Sequence, residues 1–158
     1  MPFLKVHGID QLVRKETGLW IVEREIPGIT AADAFDANDA VGSVFDVDVP
    51  VLGWIREAKL IDPDDDTLAL TAHIYTRQFV GAASDAAYTV ARVHAPYWVT
   101  NITFDASEDE GGFKVAEEVG SSFYRSPTGK LWIQCSTTGT PNIAASAMPI
   151  LQLGIEPA

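Results

Sequence analysis

Few side chains in this chain are spaced for chemistry. The three histidines, His7, His73 and His94, stand far apart. A cupin-type metal site on a jelly roll needs two of them flanking one residue, with an acid a few positions on. The single cysteine, Cys135, can build neither a zinc site nor an intramolecular disulfide. Set in an apolar run, it is expected to be a small buried core residue. No Gly-x-Ser-x-Gly elbow, Gly-rich phosphate loop with Lys, or dinucleotide fingerprint occurs. A triad assembled from distant Ser, His and Asp stays open to the sequence. The expectation is a non-enzymatic protein with no catalytic residue, no metal and no cofactor.

The acidic cluster Asp62, Asp64, Asp65 and Asp66 has carboxylates at alternate positions, which can wrap a hard cation. The EF-hand pattern fails, because the sixth position from Asp62 is Thr67 and the twelfth is His73. The reading adopted is a solvated hairpin turn whose dihedrals are set by Asp62-Pro63-Asp64, with a bound cation as the alternative. Asp36 and Asp39 read as turn and capping acids. Of the four tryptophans, Trp20, Trp54, Trp98 and Trp132, Trp132 lies on the polar side of its strand. An outward Trp serves as a partner contact, a sugar-stacking platform or packing beneath a loop. Candidate partner-contact residues are Trp20 and Trp132, with Phe3, Leu4 and Val6 of an N-terminal arm.

Composition narrows the partners. The 158 residues include 22 Asp plus Glu against 11 Lys plus Arg, a net charge of −11. Such a surface repels phosphate backbones and anionic lipid, so neither nucleic acid nor membrane is expected as a partner. Residues 1–10 lack a basic segment followed by a long apolar stretch, and no signal peptide is expected. On that basis the Asn101-Ile102-Thr103 sequon is expected to go unused, in a protein made in a cytoplasm.

The elements that must position these residues are strands. Period-two alternation recurs. In 41–50, Val41, Ser43, Phe45, Val47 and Val49 share one face, with Asp46 and Asp48 opposite, toward water. In 67–76, Leu68, Leu70, Ala72 and Ile74 are expected inside, with Thr71, His73 and Tyr75 outside. Leu131, Ile133 and Cys135 alternate with Trp132, Gln134 and Ser136, and Leu151, Leu153 and Ile155 with Ile150, Gln152 and Gly154. Further strands are expected at 19–26, 53–61, 97–104 and 114–123, with a bulge near Arg56 and Glu57. Residues 31–40 read as a loop or short helical turn. Ser84-Asp85-Ala86-Ala87 reads as one helical turn capped by Ser84 or Asp85. The fold class is all-β: one single-domain β-sandwich of jelly-roll type. It has about eight antiparallel strands and one or two short helical turns. Residues 1–30 form an arm and first strands, and 31–158 the sandwich.

The order of motifs resembles a known family. Ala34-Phe35-Asp36-Ala37-Asn38-Asp39-Ala40-Val41-Gly42 is followed by Val49-Pro50, Gly53-Trp54-Ile55 and Leu60-Ile61-Asp62-Pro63-Asp64-Asp65. Then come the strand to Tyr75, the segment Ala83-Ser84-Asp85-Ala86-Ala87-Tyr88, and Pro127-Thr128-Gly129-Lys130-Leu131-Trp132. Over 34–155 this is similar to small jelly-roll structural proteins of tailed bacteriophages, found near the capsid gene. The resemblance rests on strand and turn punctuation. It implies a virion protein on the capsid exterior, a decoration (cement) protein reinforcing the shell. Its partners would be the major capsid protein and itself, as a homo-oligomer with a trimer favoured. A carbohydrate-binding jelly-roll module, or a fibre or tail component, is the alternative.

Overall fold

A strand that alternates apolar and polar residues has one face to bury, and two such faces closing on each other make a sandwich. The computed structural model describes residues 4–5, 11–16, 18–29, 33–63, 69–105, 108–109, 111, 113–143 and 148–158. In chain order the strands are β1 (Leu4–Lys5), β2 (Gln11–Glu16), β3 (Leu19–Glu25), β4 (Asp33–Ala34), β5 (Ala40–Asp48), β6 (Leu52–Asp62) and β7 (Leu70–Tyr75). They continue as β8 (Trp98–Phe104), β9 (Glu108–Asp109), β10 (Lys114–Arg125), β11 (Lys130–Thr137), β12 (Asn142–Ile143) and β13 (Ile150–Pro157). A 3-10 helix, Arg92–Tyr97, leads into β8.

The larger sheet has the order β1-β2-β3-β13-β6-β10-β9, and the smaller β5-β11-β7-β8. Eight strands carry the sandwich, β3-β13-β6-β10 facing β5-β11-β7-β8, so the all-β sandwich expected from the alternation is the observed fold. Their pairing is nested. The first of the eight pairs with the last, the second with the seventh, the third with the sixth and the fourth with the fifth, all antiparallel. The inner faces meet in one cluster that includes Val22, Phe45, Leu60, Ile74, Phe104, Leu131, Ile133 and Leu153. Cys135 is buried there, as expected, and burial pushes its thiol up to about 12.

Several side chains depart from strict alternation, each for a local reason. Ile133 pairs with Phe45 and Cys135 with Val41, so β5 carries extra residues across this interval. Gly42 there has φ 70°, Val41 and Phe45 both stay inside, and Ser43 is extruded to the surface rather than buried. Tyr75 keeps its expected outer side, opposite Trp132, but is buried there rather than exposed, its ring meeting Phe79 at 4.4 Å. Asp62 is buried at the end of β6, so its carboxyl does not sit in a water-exposed turn. Asp64, Asp65, Asp66 and Leu68 lie outside the described residues. The bulge near Arg56 is present. Glu57 pairs with Gly154 while Ile55 pairs with Ile155, and Val119 to Ser122 of β10 shift register beside it.

The turn at 84–87 is not helical. Asp85 takes φ 65°, its N–H donates to the Ala40 carbonyl (2.9 Å), and the Ala40 N–H donates to the Ala86 carbonyl (2.8 Å). Bonds to the start of β5 thus replace the i to i+4 bonds a helix would need. The helical turn falls instead at Arg92–Tyr97. In 33–40, β4 pairs with β12, and the Asp39 carboxylate accepts from the Asp36 N–H at 2.9 Å, the turn role expected of these acids.

Gly42 is required twice over. Its φ is left-handed, and a Cβ there would lie 2.2 Å from the Pro27 carbonyl oxygen. Gly42→Ala is expected to lower unfolding free energy by about 1–3 kcal/mol, measured by chemical denaturation, whereas Gly120→Ala, in open space, should change it by well under about 1 kcal/mol.

Candidate functional site

The outer face of the smaller sheet carries the densest polar chemistry among the described residues. Between β7 and β8 the chain crosses that face in 76–97, with no strand of its own. Peptide groups leaving water need partners, and Gln134 supplies them. This side chain is fully buried. Its Nε2 donates to the Gly42 carbonyl at 3.0 Å and the Ala82 carbonyl at 2.7 Å, while its Oε1 accepts from the Ala82 N–H at 3.1 Å. Ser84 Oγ accepts from the Gly42 N–H at 3.1 Å. Gln134 and Ser136 alternate with the core residues in sequence, as expected, but both are buried because this segment covers them.

His73 sits beside Gln134. Its Nδ1 is 3.1 Å from Asn101 Oδ1, its Nε2 is 2.7 Å from Ser136 Oγ, and the Tyr88 ring stacks on it at 3.9 Å with planes 13° apart. Trp98 Nε1–H donates to the same Asn101 oxygen at 2.9 Å. An acceptor held by one N–H requires a donor from His73 too, so Nδ1 carries the proton and Nε2 accepts from the Ser136 hydroxyl. Hydroxyl, imidazole and amide oxygen therefore follow the order of a Ser–His–Asn proton relay. Sequence reasoning left such a triad open without naming its members, since β7, β8 and β11 bring them together only by register. Ser136 is 5% exposed, so an acyl group has no approach to its hydroxyl in this arrangement. The relay's evident work is to satisfy polar atoms beneath 76–97. Burial pushes the imidazole below its ordinary 6.5, against the opposing effect of the hydrogen bond that Nδ1–H donates to Asn101.

A second cluster closes the β5 margin. Lys130 Nζ bonds Asp46 and, at 2.9 Å, Asp48, and Arg24 reaches from β3 to the Asp46 carbonyl and carboxylate. Burial would raise the Asp46 carboxyl, but Lys130 and Arg24 together outweigh it and hold the group below its ordinary range. These acids are half-buried and ion-paired rather than facing open water.

The third feature is apolar. On the outer face of the larger sheet, Phe123 (50% exposed) packs on Trp54 at 5.0 Å, and Val119 is 81% exposed. Arg56 lies 5.1 Å from the Trp54 ring, bonding Glu156 at 2.5 Å and Ser121 at 2.6 Å. A groove of about 170 Å³ runs from this bulge to Thr100, Asn101, Ile102 and Thr103 of β8.

The expected contact residues do not converge on any of these. Trp20 is partly buried against the core and donates from Nε1 to the Asp48 carbonyl at 3.1 Å. Trp132 is half-buried on β11, between Asp46 and Tyr75. The Leu4 backbone pairs with Val13 of the same chain; Phe3, Val6 and His7 lie outside the described residues. The exposed aromatics among the described residues are instead Trp98, Phe113 and Phe123. Alternation could have found Phe123, because it shares its face with Val119 and Ser121. No protein-family model matches the chain, and no curated protein matches it.

Gln134→Leu keeps the volume but strips partners from buried peptide groups. We expect a loss of about 3 kcal/mol in unfolding free energy and faster proteolytic cleavage within 76–97. His73 gives a pH signature. As pH falls below 6.5 the unfolded chain takes up a proton before the folded one does, so stability holds above that value and declines beneath it. The difference in melting temperature between wild type and His73→Gln, scanned from about pH 7 to about pH 5, should shrink as pH falls; a constant difference would contradict the assignment.

Proposed function

We propose that this chain is a structural protein of a bacteriophage virion, a capsid decoration protein that binds the outer surface of the shell through protein–protein contacts. The observation that carries the reading is the apolar strip of Trp54, Phe123 and Val119, which stands on a solvent-facing sheet. Exposed aromatic groups of this kind are the usual anchors of protein contacts. The nested pairing supports reading the sandwich as a jelly roll, because a long hairpin rolled into two sheets pairs its strands first with last, inward to the middle. The motif order over 34–155 supports the virion assignment by resemblance. A net charge of −11 suits a protein on the outside of a DNA-filled shell, which has no use for phosphate contacts. Trp98, 52% exposed with its ring edge fixed on Asn101, favours glycan stacking as the second reading.

The first test is the copy number of this chain in purified particles relative to the major shell protein. A simple fraction of it is expected, and absence from particles overturns the proposal. Replacing the strip, as Val119→Asp with Phe123→Ser, should weaken binding to undecorated shells by at least about tenfold, while stability changes by only about 1 kcal/mol. A saturable change of Trp fluorescence with a glycan, without shell binding, would favour the second reading.

A further inference from the structure

Sheet margins invite strand addition unless something discourages it. Among the described residues, most margins here carry such a device. β10 is bulged between Val119 and Ser122 and bears Glu117, Glu118 and Arg125, with β9 paired to its start. β5 carries Asp46 and Asp48 clamped by Lys130, and its Ser43 N–H is taken by the Pro27 carbonyl. β1 is two residues long and includes Lys5. β8 differs. It pairs only with β7, and its sequence, WVTNITF, has no charged residue. Its bulge lies at one end, where Ile74 pairs with Thr100 and Tyr75 with Trp98, which leaves 100–104 in regular register. In antiparallel pairing, alternate residues direct their backbone N–H and C=O away from the neighbour they already have.

The strand also reads alike from both ends. An aromatic and two β-branched residues precede Asn101; two β-branched residues and an aromatic follow it. An antiparallel copy centred on Asn101 sets Thr100 against the second copy's Ile102, both within the regular part of the strand. β-branched cross-strand pairs of this kind stabilise sheets. Charge leaves the same occupant open. Two chains of −11 repel, and contact costs least where neither presents a charge. The groove beside β8, lined by Ile55 and Ala58 together with Arg56, Glu57 and Glu118 of the facing sheet, leaves room for the inward side chains of an added strand.

We infer that this chain forms a two-fold dimer through antiparallel pairing of β8 with β8 of a second copy, centred on Asn101. The contact is isologous and joins two four-stranded sheets into one continuous sheet. It gives a dimer rather than the trimer that the family resemblance implies, and it does not depend on shell binding.

Asn101→Asp tests it. The substitution keeps an oxygen for Trp98 Nε1 and His73 Nδ1, yet places two carboxylates opposite each other on the dyad. Sedimentation equilibrium of the full chain at about pH 8, where imidazole is neutral, should show a concentration-dependent dimer for the wild type. The variant's dissociation constant should rise by about tenfold or more. A wild type that stays monomeric or sediments as a trimer, or a variant that dimerises equally well, overturns the inference. If the variant fails to fold, hydrogen exchange on the wild type decides. Amides of 99–103 should gain protection as protein concentration rises, and unchanged protection overturns the pairing. Shell copy number is read separately, so failure here leaves the decoration reading to its own test.

Discussion

Gln134 holds the smaller sheet's cover in place, and much of the molecule's layering depends on it. A glutamine amide has the donor and acceptor of a peptide group on the end of a side chain, so it can bond a crossing segment as a neighbouring strand would. Bonding Ala82 through both N–H and C=O, and Gly42 through its carbonyl, it ties 76–97 to both β5 and β11. Gly81 must lack a side chain for this approach, since a Cβ there would lie 2.1 Å from Gln134 Oε1. With the segment anchored, Tyr88 lies on His73, and the outer side of β11 from Gln134 to Thr137 leaves solvent. The sandwich gains a partial third layer made of irregular chain.

That third layer explains why the polar groups beneath it are ordered in relays. A hydroxyl, an imidazole and an amide would each be costly to bury alone. Linked as Ser136, His73, Asn101 and Trp98, each donor meets an acceptor, and the tautomer of His73 follows from the indole N–H at the far end. The arrangement resembles a nucleophile relay because both problems have the same solution: a proton held in one direction along a chain of acceptors. Burial separates the two uses. A relay that reacts must open onto its substrate, and here Ser136 is enclosed.

The sequence made the inner faces legible because alternation and burial share a period. Leu70, Ala72, Ile74, Leu131, Ile133, Cys135, Leu151, Leu153 and Ile155 all lie inside. Even the bulge at Arg56 showed as a change of parity between Ile55 and Ala58. Outer faces were harder. Gln134 and Ser136 carry the same alternation whether water or a loop covers them, so nothing local marks them as buried. Ser43 kept its parity on paper but lost it to a bulge that only the Cys135 to Val41 register reveals. Trp20 shows the converse difficulty. It is partly buried, and its indole bonds Asp48, a residue 28 positions away on the facing sheet.

The acids, too, have to be weighed by where they stand. At physiological ionic strength charges separated by more than about 8 Å hardly feel each other, so a net charge of −11 sets long-range repulsion while local patches decide contact. Asp46 and Asp48 are already neutralised by Lys130 and Arg24, and Glu156 by Arg56. The margin between β8 and the β10 bulge is different in kind. One groove there is lined by Val119 and Gly120, with Arg56, Glu57 and Glu118, on one side and by Thr100 to Thr103 on the other. The apolar strip and the uncharged edge strand therefore adjoin, and an occupant of one comes within reach of the other. Because a strand added to β8 is positioned by backbone hydrogen bonds and an anchor on Phe123 by side-chain packing, the two contacts impose independent geometric demands along one margin. A partner meeting both would be selected by shape, against a background in which charge only repels.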